Sequence, residues 1–307
     1  MVDEVERDVK QIVKQKSKIV ERKDLIQMKK LLGLLTVLLV GFTLLGCNGN
    51  SGDGDLTVVT VGVVGTFQDQ WEAVNEILYD EGIYVELIFF TEWNIPNPAL
   101  HNGETDLNAF QTKLFLENAI DTNDYELAIV GDTFVSPLNI FNGRADIPAD
   151  YTRLSLIGYV EDGFVVGIPD DVINMGRALK LLEAAGLIDI DPAVGFFATE
   201  ADITTFHVDL EIRPAPANTL ASLLPDLDIA VINNPQAMIN GLSANEESIF
   251  REDSLNIDIA DGLVNVIAAR AGEENNPVFQ RILEAYQTQV VIDVFENNFD
   301  GAFIPAW

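Results

Sequence analysis

The sequence is poor in the side chains that most enzymes and metal sites use. Its 307 residues include one cysteine, Cys47, and two histidines, His101 and His207, which stand far apart. A single cysteine excludes an intrachain disulfide and a cysteine-based zinc site. The chain also lacks a G-x-S-x-G motif, a P-loop and a G-x-G-x-x-G motif. These absences predict no cofactor and no metal, and they favour a binding protein over an enzyme.

Basic side chains are scarce as well. The chain carries 18 Lys and Arg against 49 Asp and Glu, a formal net charge of −31. The first 46 residues hold 9 of the basic side chains, whereas 43 of the acidic ones follow them. So negative a surface repels nucleic acid and anionic lipid. We therefore predict no nucleic-acid partner.

An apolar run near the N-terminus, Leu31–Leu45, is shorter than the roughly 20 residues that span a bilayer as a helix. It follows the basic head Met28–Lys30 and ends in Leu44-Leu45-Gly46-Cys47, which resembles the bacterial lipobox. In a lipobox the signal is removed before the cysteine and the thiol is lipidated. The order of basic head, apolar run and small-residue site is that of a secretory signal. The alternative is a buried structural cysteine after a core helix.

This motif divides the N-terminal part of the chain. Residues 1–46 are predicted to be a leader and lipoprotein signal peptide, and Cys47 the site of lipidation. Residues 47–56, rich in Gly, Asn, Ser and Asp, are predicted to form a flexible tether. We therefore expect the protein at the cell membrane, held by a lipid anchor on the extracytoplasmic face.

From Leu56 onward, segments with the patterns of strands and helices alternate. This alternation predicts an α/β fold with right-handed βαβ units and a parallel sheet. The predicted strands cover 57–63, 83–90, 106–110, 126–130, 133–140, 164–168, 210–213, 228–232 and 263–269. The longer predicted helices cover 67–79, 113–120, 172–185 and 277–287.

The helix predicted over 172–185 follows a buried strand and opens with a polar motif. Asp170 or Asp171 can cap it, and Asn174 and Arg177, three residues apart near its start, share one face. A helix start offers free N–H groups and positive partial charge. An Asn and an Arg beside it would suit a small carboxylate, which the Arg would hold in a bidentate fork. The alternative is a capped surface helix with a solvated Arg.

Several segments, in order, resemble the methionine-binding lipoproteins of ABC importers, and the resemblance covers nearly all of residues 57–307. The most specific block is Gly103–Lys113, with the sequence GETDLNAFQTK. The other segments are Trp71–Val74, Pro96–Leu100, Val130–Pro137, Asn174–Arg177, Ala230–Asn233 and Gly301–Trp307.

The resemblance implies a two-lobed, periplasmic-binding-protein-like α/β fold with a ligand cleft between the lobes. Lobe I is expected to comprise residues 57–137 together with 262–307, and lobe II residues 138–261. The chain would cross between the lobes near Val135–Ile140 and near Asp258–Val264. Receptors of this kind close on their ligand by hinge motion.

The resemblance also implies which residues bind the ligand. Arg177 matches the arginine that pairs with the ligand carboxylate, with Asn174 beside it, and Asn233 matches the asparagine that hydrogen-bonds the polar end. Phe110 and Trp93 match aromatic positions that wall the side-chain pocket. The alternatives are an Asx-turn before a proline for Asn233 and ordinary core packing for the two aromatic residues.

Two departures from the family pattern lie next to the most specific block. The family commonly has Gln-His-Lys where this chain has Gln111-Thr112-Lys113, and Pro-Tyr where it has Leu114-Phe115. Thr112 and Phe115 are therefore expected on the pocket wall without the imidazole and the phenol hydroxyl. The pocket would then be shaped differently, and the ligand need not be methionine itself.

The resemblance implies a receptor that is not an enzyme. Its expected partners are L-methionine or a related amino acid, an ABC transporter permease, and the membrane through the lipid anchor. Glu104 and Asp106 could suggest paired carboxylates for acid–base work, but we interpret them as cap and turn residues. The alternatives are a receptor for a dipeptide or another apolar amino acid, and a lipoprotein enzyme or adhesin on the same scaffold.

The lipobox resemblance gives a direct prediction about anchoring. Cys47→Ala should yield a precursor that carries no lipid, because the acceptor thiol is gone. Metabolic labelling with a fatty acid measures this, with an immunoblot as the control for equal amounts of protein. Equal label in the wild type and the variant would contradict the assignment of Cys47.

Overall fold

The computed structural model describes residues 56–66, 68–252, 261–299 and 302–307. The predicted signal peptide, Cys47 and nearly all of the predicted tether lie outside the described residues. Within the described ranges, no helix is both long enough and apolar enough to cross a membrane.

The described elements alternate between strands and helices, as the sequence predicts. The strands are β1 (Thr57–Val64), β2 (Ile83–Phe90), β3 (Leu107–Thr112), β4 (Leu127–Asp132), β5 (Phe134–Val135), β6 (Leu138–Asn142), β7 (Phe164–Pro169), β8 (Ile188–Ile190), β9 (Ile203–Phe206), β10 (Leu210–Ala215), β11 (Ile229–Asn233), β12 (Ser248–Arg251), β13 (Asn265–Arg270) and β14 (Ile304–Pro305). The α-helices are α1 (Asp69–Leu78), α2 (Pro96–His101), α3 (Lys113–Asn123), α4 (Val172–Ala184), α5 (Leu220–Leu223), α6 (Asn234–Ile239), α7 (Pro277–Tyr286) and α8 (Gln289–Asn298).

Two five-stranded sheets carry the architecture. The first has the order β2-β1-β3-β13-β4, and the second has the order β10-β7-β11-β6-β12. In the first sheet β1 runs parallel to β2 and β3, while β13 runs antiparallel to β3 and β4. In the second, β10 and β11 run parallel to β7, while β6 runs antiparallel to β11 and β12. Both sheets are therefore mixed.

The expectation of a purely parallel sheet is wrong at β6 and β13. These are the strands that the chain reaches when it passes from one sheet to the other: β6 follows β4 and β5, and β13 follows β12. A crossover helix within the same sheet is what keeps successive strands parallel. At β6 and at β13 the chain enters the other sheet, so no crossover within one sheet requires the new strand to be parallel to its neighbours.

The first passage is split where the sequence predicts one continuous strand over 133–140. Pro137 separates β5 from β6, because proline has no backbone N–H to donate to a ladder. β5 pairs with β14 at the end of the chain. The first sheet thus draws on residues 57–132 and 265–270, and the second on 138–251. Residues from Gly54 to Trp307 form one compact unit, so the lobe boundaries stay a prediction.

Large aromatic side chains fill the core beside the first sheet. α1 packs against α7 and α8, and there Trp71 and Tyr286 lie with ring centroids 5.1 Å apart. Phe295 and Phe299 continue this cluster towards the C-terminal strand. Tyr286 is fully buried, and this burial raises the pKa of its phenol well above the ordinary value. The phenol is therefore neutral at any physiological pH.

A carboxylate joins two neighbouring strands of the second sheet at the N-terminal end of β11. Asp228, just before β11, accepts the backbone N–H of Val165 in β7 at 2.7 Å. It also accepts Nε and Nη2 of Arg144 at 3.1 and 2.9 Å. Partial burial acts to raise the pKa of Asp228, but the hydrogen bonds from Arg144 and Val165 outweigh it and hold the pKa below its usual range.

Asp228→Asn should lower the free energy of unfolding by about 1–2 kcal/mol near neutral pH, because a charged acceptor is lost. Since the folded-state pKa of Asp228 is depressed, its contribution is full above the ordinary Asp pKa of about 3.9 and fades as pH falls through the folded value. Urea unfolding at neutral and at acid pH measures both effects. Asp80→Asn, at an exposed aspartate outside the second sheet, is the control. If Asp228→Asn lowered the free energy of unfolding by as much at acid pH as at neutral pH, this account would be contradicted.

Candidate functional site

A cleft opens where strands and helices of both sheets end. Its open space measures about 770 Å³, including the part continuous with solvent. The lining includes Val64, Gly65, Thr66, Gln68, Gln70, Trp93, Ala109, Phe110, Gln111, Thr112, Phe115, Phe134, Ser136, Asn174, Arg177, Asn233, Pro235, Ile239, Asn265 and Phe303. All seven ligand-binding residues predicted from the sequence are among these lining residues.

The start of α4 builds the polar end of the cleft. Asp171 caps the helix by accepting the backbone N–H of Asn174 at 3.0 Å. Its two carboxylate oxygens also accept Nδ2 of Asn174 at 3.1 and 3.0 Å. Burial raises the pKa of Asp171, and the hydrogen bonds from Asn174 oppose this rise. Because Nδ2 of Asn174 faces Asp171, Oδ1 of Asn174 is turned the other way.

Oδ1 of Asn174 joins the two other polar residues that the sequence predicts for this site. It accepts Nδ2 of Asn233 at 3.0 Å and Nη1 of Arg177 at 3.3 Å. All three side chains are buried. The structure therefore brings Asn174, Arg177 and Asn233 together in one hydrogen-bonded group, although Asn233 lies on a different element, at the end of β11.

The guanidinium of Arg177 is already held by a carboxylate of the chain itself. Its Nε donates to Oε1 of Glu252 at 3.2 Å, and its Nη2 donates to Oε2 of Glu252 at 2.6 Å. Nη2 also donates to the backbone oxygen of Ser136 at 3.0 Å. The fork predicted from the sequence exists, but Glu252 fills it. The expectation of a bidentate contact with the ligand is wrong for this arrangement, because four of the five N–H donors have partners.

Two polar atoms at this end of the cleft have no hydrogen-bond partner among the described residues. They are Oδ1 of Asn233 and Oγ of Ser136, and both are buried. A buried polar atom without a partner is costly, so such atoms usually mark an unfilled interaction. With the remaining Nη1 proton of Arg177, they offer two donors and two acceptors to a small polar group.

Aromatic rings form the opposite wall. The ring centroids of Trp93 and Phe110 lie 6.1 Å apart, and those of Phe110 and Phe115 lie 6.0 Å apart in an edge-on arrangement. Nε1 of Trp93 is buried and has no partner among the described residues. Thr112 lines the cleft and also caps α3, where its Oγ1 accepts the backbone N–H of Phe115 at 3.2 Å. The Thr112 hydroxyl, at the position where the family pattern commonly has a histidine, therefore caps a helix.

A cluster of buried amides supports this wall from β3 and α2. Asn97 and Gln111 exchange hydrogen bonds of 2.6 and 2.7 Å between their side chains, and Asn108 donates to Oδ1 of Asn97 at 3.3 Å. A methyl group on Gly62 would lie 2.3 Å from Oδ1 of Asn108, so this glycine gives the cluster its room. Residue types alone do not reveal such a cluster, because its members are paired across elements.

Gly176 lets the polar end form by admitting another segment close to α4. A methyl group at this position would lie 1.9 Å from the backbone oxygen of Phe196 and 3.3 Å from the backbone nitrogen of Ala198. The motif Asn174-Met175-Gly176-Arg177 thus combines two cleft side chains with a position that only glycine can occupy without displacing backbone.

Other candidates from the sequence lie away from the cleft lining. Asp106 accepts the backbone N–H and the hydroxyl of Thr60 at 2.8 and 2.7 Å, so it joins two strands of the first sheet. Glu104 is exposed. The contacts of Asp106 agree with the structural role predicted for it. In the described part of the chain, no three side chains of His, Cys, Asp or Glu are grouped as metal ligands.

Comparison with known proteins gives the chain a family. The model described as NlpA lipoprotein matches residues 59–307. The chain belongs to the NlpA lipoprotein family. This NlpA lipoprotein is 31% identical over 291 residues to a Pasteurella multocida protein named probable D-methionine-binding lipoprotein MetQ, with 92% of this chain and 100% of that one covered.

Solved structures resemble this NlpA lipoprotein over the same region. Protein PG110 from Staphylococcus aureus is 34% identical with a TM-score of 0.73, covering 81% of this chain and 94% of that one. A nutrient-binding protein from Burkholderia cenocepacia, bound to methionine, is 28% identical with a TM-score of 0.72, covering 81% and 100%. The predicted family and the predicted α/β, periplasmic-binding-protein-like fold are confirmed, and the family is one of substrate-binding receptors rather than enzymes.

The capping role of Thr112 can be tested by stability. Thr112→Ala should lower the free energy of unfolding by about 1 kcal/mol, because an N–H at the start of α3 loses its acceptor. Thr112→Ser is the matched control and should retain most of the stability, since serine caps equally well. Urea unfolding measures both. An equal loss in the two variants would show that the hydroxyl does not act as a cap.

Proposed function

We propose that this NlpA lipoprotein is a lipid-anchored extracytoplasmic receptor that binds methionine or a related α-amino acid in the cleft and delivers it to an ABC importer. The anchor would be the lipid on Cys47, and the partner a transporter permease. The chain acts as a receptor and catalyses no reaction on its ligand.

The observation that carries this proposal is the pair of buried, unpartnered polar atoms beside Arg177. Oδ1 of Asn233 can accept only, so it suits the α-ammonium of an amino acid. The free proton on Nη1 of Arg177 and the hydroxyl of Ser136 suit the α-carboxylate. An amino acid backbone would therefore give each of these atoms a partner at once.

The opposite wall suits an apolar side chain. The rings of Trp93, Phe110 and Phe115 present faces and edges that favour hydrocarbon and thioether groups, and sulfur gains from contact with an aromatic ring. The relatives named for D-methionine and the neighbour bound to methionine support this choice of side chain.

One observation favours a longer ligand as the second candidate. Nε1 of Trp93 is a buried donor without a partner among the described residues, and a thioether is only a weak acceptor. A dipeptide would bring an additional carbonyl into the cleft. Parallel titration with methionine and with methionine-containing dipeptides decides between the two, because the better ligand is the one that satisfies this donor as well.

The test of the proposed function uses Asn233 rather than Arg177. Removing Arg177 would leave the carboxylate of Glu252 buried without its cation, so it would disturb the fold and the ligand together. Asn233→Ala should weaken methionine binding by about 1–3 kcal/mol, roughly fivefold to 150-fold, because the ammonium loses its acceptor. Calorimetric titration measures the change, and native mass spectrometry identifies any copurifying ligand.

Asn142→Ala is the matched control for this experiment. Its amide exchanges hydrogen bonds with the backbone of Ile147 and does not line the cleft. It should cost stability and leave the affinity unchanged. Wild-type affinity in a folded Asn233→Ala protein would place the ligand elsewhere and contradict the proposed function.

A further inference from the structure

Arg177 is the one residue with a formal charge among those described that line the cleft. Its partner Glu252 stands behind it and does not line the cleft. The two side chains are 4% and 10% exposed, so neither charge is screened by bulk water. Together they present the cleft with a cation whose charge is cancelled at hydrogen-bond distance.

Glu252 is itself fixed in place. It follows Arg251, the last residue of β12, and its backbone N–H donates to the oxygen of Leu138 at 2.9 Å. In return, the backbone N–H of Leu138 donates to Oε2 of Glu252 at 2.9 Å. Leu138 is the first residue of β6. The carboxylate is therefore anchored on two strands and cannot swing into the cleft while these bonds hold.

This anchoring determines what Arg177 can offer to a ligand. Glu252 takes the Nε and Nη2 edge of the guanidinium, and the backbone oxygen of Ser136 takes the other proton of Nη2. Asn174 accepts one proton of Nη1. One N–H remains, so a ligand carboxylate meets a directed donor without an uncompensated positive charge.

We propose that Glu252 is a positioning residue that makes the cleft select zwitterionic ligands over simple carboxylates. It does so by fixing the plane of the Arg177 guanidinium and by cancelling its charge. The inference rests on the proposed function. A simple carboxylate would add a net negative charge to a buried neutral group, which is strongly disfavoured.

A zwitterion avoids that cost, because it brings its own ammonium. The ammonium can bind Oδ1 of Asn233, and its charge balances that of the ligand's own carboxylate. Asp171, the other carboxylate at this end, is held against Asn174 and adds no positive charge in either protonation state. Loss of the Glu252 charge should therefore raise the affinity for a simple carboxylate relative to the affinity for a zwitterion, even if both affinities change.

The test is a ratio of two dissociation constants on the full-length chain. L-methionine and 4-methylthiobutanoate, which differ only in the α-amino group, are titrated into the wild type and into Glu252→Gln. The wild type should bind methionine at least about a hundredfold more tightly. In Glu252→Gln, which keeps the size of the side chain, the ratio should fall by about tenfold or more.

Two further variants separate charge from structure. Glu252→Asp keeps the charge on a shorter side chain, so both affinities should fall while the ratio stays near that of the wild type. Asp228→Asn is the matched control, because Asp228 also pairs with an arginine and accepts a strand N–H but does not line the cleft. Its ratio should equal that of the wild type.

The outcomes are distinguishable. Parallel loss of both affinities in Glu252→Gln, with an unchanged ratio, would show a merely structural role and overturn the inference while the proposed function stands. A wild type that binds the two compounds equally, or a ratio in Glu252→Asp far below that of the wild type, would also overturn it, even if Glu252→Gln does not fold. Failure of the wild type to bind either compound would overturn the proposed function and the inference together.

Discussion

The buried ion pair of Arg177 and Glu252 is the constraint on which the site depends. Two charges removed from water are tolerated only when geometry and additional hydrogen bonds compensate both. Here the compensation comes from α4, from the ends of β6 and β12, and from the segment that joins the sheets. Displacing any of these elements would leave a charge without its partner, so the position of the helix start and the positions of the two strand ends are mutually fixed.

The chemistry of the cleft is divided between the two sheets. The hydrogen-bonded group of Asn174, Arg177 and Asn233 comes from α4 and the end of β11, whereas the aromatic wall comes from β3, α3 and the segment before α2. The polar half is tightly specified, because the backbone nitrogen and Nδ2 of Asn174 both donate to Asp171. The aromatic half is specified by packing, which tolerates exchange of side chains more readily. Related receptors on this scaffold can therefore keep the recognition of a ligand backbone while the side-chain pocket varies.

Much of the fold can be predicted from local signals in the sequence. The helix predicted over 172–185 is α4 to within a residue, because an aspartate cap and a following glycine mark its ends. The resemblance implies that Asn174 and Asn233 bind the ligand. Their side chains lie together in the structure, at the start of α4 and the end of β11, which agrees with this expectation. Glu252 could not be predicted, since its partner lies 75 residues away and nothing local marks this acid among many. The short strands β8 and β9 were missed because three or four residues give too little periodicity to recognise.

The position of β13 also determines the order in which the molecule can be completed. The second sheet uses one continuous stretch of chain, whereas the first has β13 inserted between β3 and β4, from a segment more than a hundred residues later. Contacts of such long sequence separation form late. A chain still emerging from the ribosome can therefore assemble the second sheet, but the first sheet stays incomplete and the cleft does not yet exist. The cleft can bind a ligand only after nearly the whole polypeptide is available to fold.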